Sequence, residues 1–176
     1  MIIAEQKLKE NIAEYLIYMY QIEDLIRAND FDPVRIEQTI INKFDASYEI
    51  KREMLEWYKS LIDSLISEGK QKAGHLAFLE KTADQINSLN VKLQQDPLNS
   101  EIKEAYTKAR ENIDALRMRS GHAQECEVQI AMNGIYGYLM LRLQKKDISK
   151  ETEEAFSTIT EWIAILSSEY MKNQAV

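Results

Sequence analysis

The chain has 176 residues and a formal net charge of −7, from 29 acidic and 22 basic side chains, which argues against a general nucleic-acid binder. Hydrophobic residues at 45% and charged residues at 29% describe a globular chain with enough apolar material for a real core. Five Gly and two Pro argue against a sandwich, a barrel or a Gly-rich nucleotide fold, and one Cys excludes a disulfide framework within a monomer.

Charges begin at Glu5, so the N-terminus does not read as a secretory signal. The last four residues, Asn173-Gln174-Ala175-Val176, carry no prenylation Cys. The most apolar stretch, Val128 to Leu143, contains Gln129, Asn133 and Arg142. It is also shorter than the roughly 20 residues a membrane span needs. A buried core helix is expected there, and the cytoplasm is the expected compartment.

Helical periodicity runs through almost the whole chain. The first segment spans about residues 3–28, with Leu8, Ile12, Tyr15, Met19, Ile22 and Ile26 on one stripe. Within it, Tyr15-Leu16-Ile17-Tyr18-Met19-Tyr20 is apolar on every side, the pattern of a helix wrapped by neighbours. Asp32-Pro33 reads as an N-cap and first helical position for a short helix carrying Ile36, Ile40, Ile41 and Phe44. Asp45 or Ser47 caps the next helix, which reaches about Glu68. Gly69 and Gly74 then bracket a basic loop. Residues 75–94 and about 100–119 form two more periodic stretches, separated by Asp96-Pro97 and Asn99-Ser100. After Ser120-Gly121, residues 123–144 are again apolar nearly all round. Ser149 caps the last helix, whose first turn holds Glu151, Glu153 and Glu154, as the helix dipole prefers. Only four Val residues occur, and no alternating run is bounded by turn residues. The expectation is an all-α, single-domain antiparallel bundle over residues 1–176. It has six long helices and one short one, with the first and sixth at the centre.

Four groups of residues could carry chemistry. On the first helix Glu23 falls at the edge of the apolar stripe, beside Asp24, with Arg27 one turn on and able to pair with it. This set reads as a polar site between helices or, with greater weight, as an ion pair fixing helix register. His122 and Cys126 would lie one turn apart on a helix, a spacing that supplies two metal ligands at most. The only other His is His75, and no di-metal pattern repeats, so these are weak candidates and no metal or cofactor is expected. Gly134 and Gly137 within Asn133-Gly134-Ile135-Tyr136-Gly137-Tyr138 point to close approach of another helix, with the first helix as the natural neighbour, ahead of the alternative of room for a small ligand. Asn133, Tyr136 and Arg142 could complete a buried polar network with Glu23 or Asp24. Finally, the basic residues of the fifth helix alternate with acids, which describes a solvated face. No GxSxG, phosphate loop or dinucleotide fingerprint is present, and a Cys126–His75 dyad has no supporting motif.

The segment Tyr15-Leu16-Ile17-Tyr18-Met19-Tyr20-Gln21-Ile22-Glu23-Asp24-Leu25-Ile26-Arg27-Ala28 resembles a helical family of Bacteroidetes proteins filed as a domain of unknown function. Asn133 to Leu143, followed by Ile148-Ser149, is similar to that family's second signature. The resemblance implies a single-domain bacterial cytosolic protein and assigns no activity. The leading functional expectation is a non-enzymatic protein acting by protein–protein association, including a homo-oligomer such as a dimer, with no nucleic-acid or membrane partner. The alternative is a small-molecule-binding protein or enzyme. Its polar-aromatic pocket would use Glu23, Asp24, Arg27, Asn133, Tyr136 and Arg142.

Overall fold

The computed structural model describes residues 2–121 and 124–174, and among them it holds eight α-helices and no strand. They are α1 (Ile2–Glu10), α2 (Ile12–Ala28), α3 (Pro33–Thr39), α4 (Tyr48–Ser67), α5 (Ala77–Gln95), α6 (Ser100–Ser120), α7 (Glu127–Leu143) and α8 (Lys150–Gln174). A short 3-10 turn, Ile41–Lys43, follows α3. None of these helices is long and apolar enough to cross a membrane.

The caps read from the sequence recur as hydrogen bonds. Asp32 accepts from the Val34 amide with Pro33 in the first helical position. Ser47 accepts from Ile50, and Ser149 from Thr152. Gly69 and Gly74 take positive φ in the loop after α4, and Gly121 ends α6 in the left-handed region.

Two elements differ from the periodic reading. The first segment is two helices, because Asn11 turns extended and caps α2: its Oδ1 accepts from the Ala13 and Glu14 amides. An apolar stripe with spacings of four and three runs straight through such a one-residue break, so periodicity cannot show it. The sixth long helix starts later than expected, at Glu127, with Cys126 in the N-cap position. Cys126 therefore precedes the helix rather than lying on it, and the one-turn pairing expected with His122 loses its basis. His122 itself lies outside the described residues.

The helices share one core, centred on side chains such as Leu16, Tyr20, Ile26, Leu65, Leu79 and Trp162. Its buried apolar residues, thirty among the described residues, come from every helix, so no helix keeps a wholly separate packing unit. The helix α2 packs against α4, α7 and α8, and α7 packs against α2, α5, α6 and α8. The last helix shares the central position: α8 runs along α6 and also touches α2, α5 and α7, burying Ile159, Trp162, Ile163 and Leu166. The helix α7 is enclosed over its first half only. Val128 to Met132 are buried, whereas residues from Asn133 onward are half-buried or exposed.

Gly134 meets α6 and α8 rather than the first helix. A Cβ there would come within 2.6 Å of a Leu116 methyl and 3.3 Å of the Phe156 ring. At Gly137 a Cβ would have nothing within 4 Å, so close packing does not explain it.

Candidate functional site

The polar groups of α2 and α7 meet beside the loop that joins α4 to α5. Glu23 is fully buried on α2. A buried carboxylate needs compensation, and three features supply it. Its Oε2 lies 2.6 Å from His75 Nδ1. Its Oε1 accepts the Leu76 amide at 2.8 Å. That amide stands at the N-terminus of α5, where the helix dipole favours negative charge. Leu76 has no side chain able to cap α5. Glu23 and Glu68, which accepts from the Ala77 amide at 2.7 Å, therefore act as remote caps for its first amides.

The other nitrogen of His75 faces α7: Nε2 lies 2.9 Å from Asn133 Oδ1. Asn133 Nδ2 donates to Glu125 Oε2 at 3.1 Å, the orientation in which its meeting with a carboxylate is attractive. With the amide so turned, Oδ1 accepts from both His75 and Gln129 Nε2. His75 Nε2 then donates to Asn133, and Nδ1 and Glu23 Oε2 share the remaining hydrogen bond. Gln129 Nε2 also donates to the Tyr20 hydroxyl at 2.9 Å, and the Tyr20 ring stacks on His75 with centroids 3.6 Å apart. Gln129 Oε1 is buried without a hydrogen-bond partner in the described structure. Burial holds the Tyr20 hydroxyl well above the ordinary tyrosine range.

A second layer lies nearer the surface. Tyr136 donates to Asp24 Oδ2 at 2.7 Å, and Arg27 donates to Asp24 Oδ1 at 2.9 Å. Burial, and then the Asp24 hydrogen bond, push the Tyr136 hydroxyl upward as well. Arg27 pairs with Asp24, not with Glu23 as the helical spacing also allowed. Its remaining donors close on the loop, to the carbonyls of Lys70 and Gly74. Arg27 thus ties Lys70 to Gly74 across the loop, and Glu23 holds the His75 and Leu76 that follow.

Five of the six expected site residues, Glu23, Asp24, Arg27, Asn133 and Tyr136, therefore gather at one place. Arg142 does not join them. It lies exposed at the end of α7 with its guanidinium 5.9 Å from the Tyr138 ring centre. Periodicity extended α7 far enough to make Arg142 a neighbour by wheel, but nine residues of helix rise carry it roughly 14 Å beyond Asn133. The residue that joins the two helices, His75, belongs to neither. It stands at the end of the loop, directly after Gly74 and two residues before α5, where helical spacing says nothing about its partners.

A Cys126–His75 dyad finds no support in this geometry. Both His75 nitrogens are engaged by Glu23 and Asn133. Burial holds the Cys126 thiol up at about 11, so it is protonated rather than a nucleophilic thiolate near neutral pH. No group of three or more His, Cys, Asp or Glu that could hold a metal occurs among the described residues.

A separate feature lies on the far side of α7. A groove of about 420 Å³ runs between α2, α7 and α8, floored by Ile17, Tyr18, Met132, Ile135, Leu139 and Ile163. Lys7 and Glu14 pair at 2.8 Å along its edge. A shallower depression continues it past Tyr138 and Phe156, sharing Thr160 and Ala164 with the groove and edged by Arg142, Glu153 and Glu161.

This chain belongs to the family described as Domain of unknown function (DUF4924). The family model matches residues 1–176. No curated protein and no solved structure matches the chain. The family's extent takes in both the polar network and the α2/α7/α8 groove, and it assigns neither of them an activity.

Proposed function

We propose that the protein acts by association, with a second copy of itself, through the face formed by α2, α7 and α8. The observation that carries this reading is the contrast along α7. Its first half is buried, while Ile135, Tyr138, Leu139 and Met140 are only half-covered and Leu141 and Leu143 are 43% and 60% exposed. An apolar helix left half open beside an apolar groove is the signature of a contact surface.

Charge and size favour a copy of the chain as occupant. The edges of the face carry both signs, Lys7 and Arg142 against Glu14, Glu153 and Glu161. A two-fold contact can set these against one another. Residues 132–142 rise about 16 Å, and three helices at their usual spacing span about 25 Å. The side-chain surface over that footprint is on the order of the ~800 Å² per partner of a standard interface. From the family resemblance we also read the chain as a single-domain cytoplasmic protein of a Bacteroidetes bacterium.

Light scattering on a gel-filtration column tests the association. The wild-type chain elutes as a dimer, and Leu139→Glu, which places a charge in the groove, elutes as a folded monomer. A wild-type monomer at every concentration rejects the reading.

A second reading rests on the buried, unpartnered Oε1 of Gln129, beside Asn133. A small polar ligand would bind where an opening of about 280 Å³ reaches Asn133 and Glu125. In that case Glu23→Gln abolishes stabilisation by the ligand; if it only lowers the melting temperature, Glu23 is structural.

A further inference from the structure

We infer that a second groove, between α1, α4 and the turn before α4, receives a cationic amphipathic segment of another protein. This groove holds about 400 Å³ and is floored by Ile3, Phe44, Ile50, Met54 and Trp57. Ile2 is 64% exposed at its mouth, and Phe44 and Ile50 are 38% and 37% exposed. Three large exposed apolar side chains gathered around one groove mark a contact site rather than scattered surface residues.

The charges around the groove select the occupant. Glu53 stands on the rim, exposed and without an ion-pair partner among the described residues. Glu5, which has a contact of its own, stands on the opposite side. No lining residue is basic. The chain neighbours of Phe44 and Ile50 carry both signs, Lys43 and Lys51 against Asp45 and Glu49, and none of the four lines the groove, so Glu5 and Glu53 set its charge. Residues 50, 53, 54 and 57 share one helical face, and the 3.6-residue repeat turns Lys51 and Arg52 away from it. An apolar floor with an acidic rim complements a segment that presents apolar side chains flanked by Lys or Arg. Trp57 adds an aromatic face on which a cation can rest. A second copy of this chain would bring Glu53 toward its own equivalent across the axis, and an anionic lipid or nucleic-acid surface would meet the same repulsion. This surface is separate from the α2/α7/α8 face, so one chain could hold a copy and a partner together.

The two tryptophans make the test specific. Trp162 is fully buried in the core, whereas Trp57 is half-buried in the groove. The probe is a 14-residue amphipathic Leu/Lys peptide titrated into the full chain. The expected result is a saturable blue shift of tryptophan emission that disappears in Trp57→Phe. Binding weakens about tenfold in Glu53→Lys and stays unchanged in Glu111→Lys, an exposed acid of α6 that lines neither groove. Equal weakening by both charge reversals would reduce the effect to bulk attraction and overturn the inference. So would equal binding of a scrambled peptide of the same composition, or of a Leu/Gln peptide with the same pattern. A Trp57 shift with anionic phospholipid vesicles, or no saturable response to the peptide, would also reject it.

Discussion

Glu23 Oε2 and His75 Nδ1 lie 2.6 Å apart, on a helix and a loop separated by 52 residues. The contact closes the α4–α5 loop onto α2 and stands where α5 begins. Removing one partner of a buried pair strands the other, at a cost of about 3–5 kcal/mol. Glu23→Gln and His75→Ala are each expected to lose stability of that order, read as a lower urea midpoint at unchanged slope. The double variant should lose clearly less than the two losses added together. Additive losses would mean that the two side chains do not depend on one another.

The sequence pointed to Glu23 as a misfit on an apolar stripe, and to Asn133 and Tyr136 as polar groups on an apolar helix. Helical spacing carries that much. It did not supply His75: the periodic reading begins a helix at that residue, whereas α5 starts at Ala77 and the partners of His75 are set by how the loop folds back. The Glu23–Arg27 pairing was allowed by spacing but lost to geometry: Glu23 turns inward to the α5 amides, and Arg27 turns to the loop carbonyls. The helices themselves were legible from stripes and caps, except at Asn11, where one extended residue interrupts α1 and α2 without changing the stripe.

Asn11 should be costly to replace for that reason. Its Oδ1 accepts two backbone amides and also the Ser167 hydroxyl of α8 at 2.9 Å. Asn11→Ala should destabilise by about 1–2 kcal/mol, at the upper end for a capping residue. Asn99 occupies the N-cap position of α6 without capping it through its side chain. Asn99→Ala should therefore cost much less in the same thermal melt. Equal costs would remove the capping account of the α1–α2 break.

The two glycines of α7 make a matched pair. Around Gly137 there is open space, so Gly137→Ala should gain up to about 1 kcal/mol from helix propensity alone. Gly134→Ala must displace the Leu116 methyl and press on the Phe156 ring, and should forfeit that gain or lose stability outright. Chemical denaturation of both variants checks this, and an equal gain at both positions would contradict the tight α6–α7 contact.

At alkaline pH the fold should weaken in a defined direction. Burial raises the Cys126 thiol from 9.0 to about 11. Burial, and then the Glu127 hydrogen bond, raise Tyr106 from 10.0 to about 12. The hydroxyls of Tyr20, Tyr58 and Tyr136 move the same way, chiefly through burial. The folded state keeps these protons after the unfolded chain has released them. Their contribution is therefore complete below about pH 9 and is lost as pH rises through the folded values. Tyrosinate absorbance and circular dichroism recorded together should show the buried tyrosines ionising in one step with loss of helix. Smooth titration of all nine tyrosines near 10 with the helix intact would contradict their burial.

The association face is tested most directly by amide hydrogen exchange of the wild-type chain at rising protein concentration, with peptides resolved along α2, α7 and α8. The account predicts slower exchange over Ile135–Leu143 and around Ile17–Gln21 as concentration increases, with α4 unchanged. Exchange independent of concentration in those segments, or protection confined to α4, would contradict it.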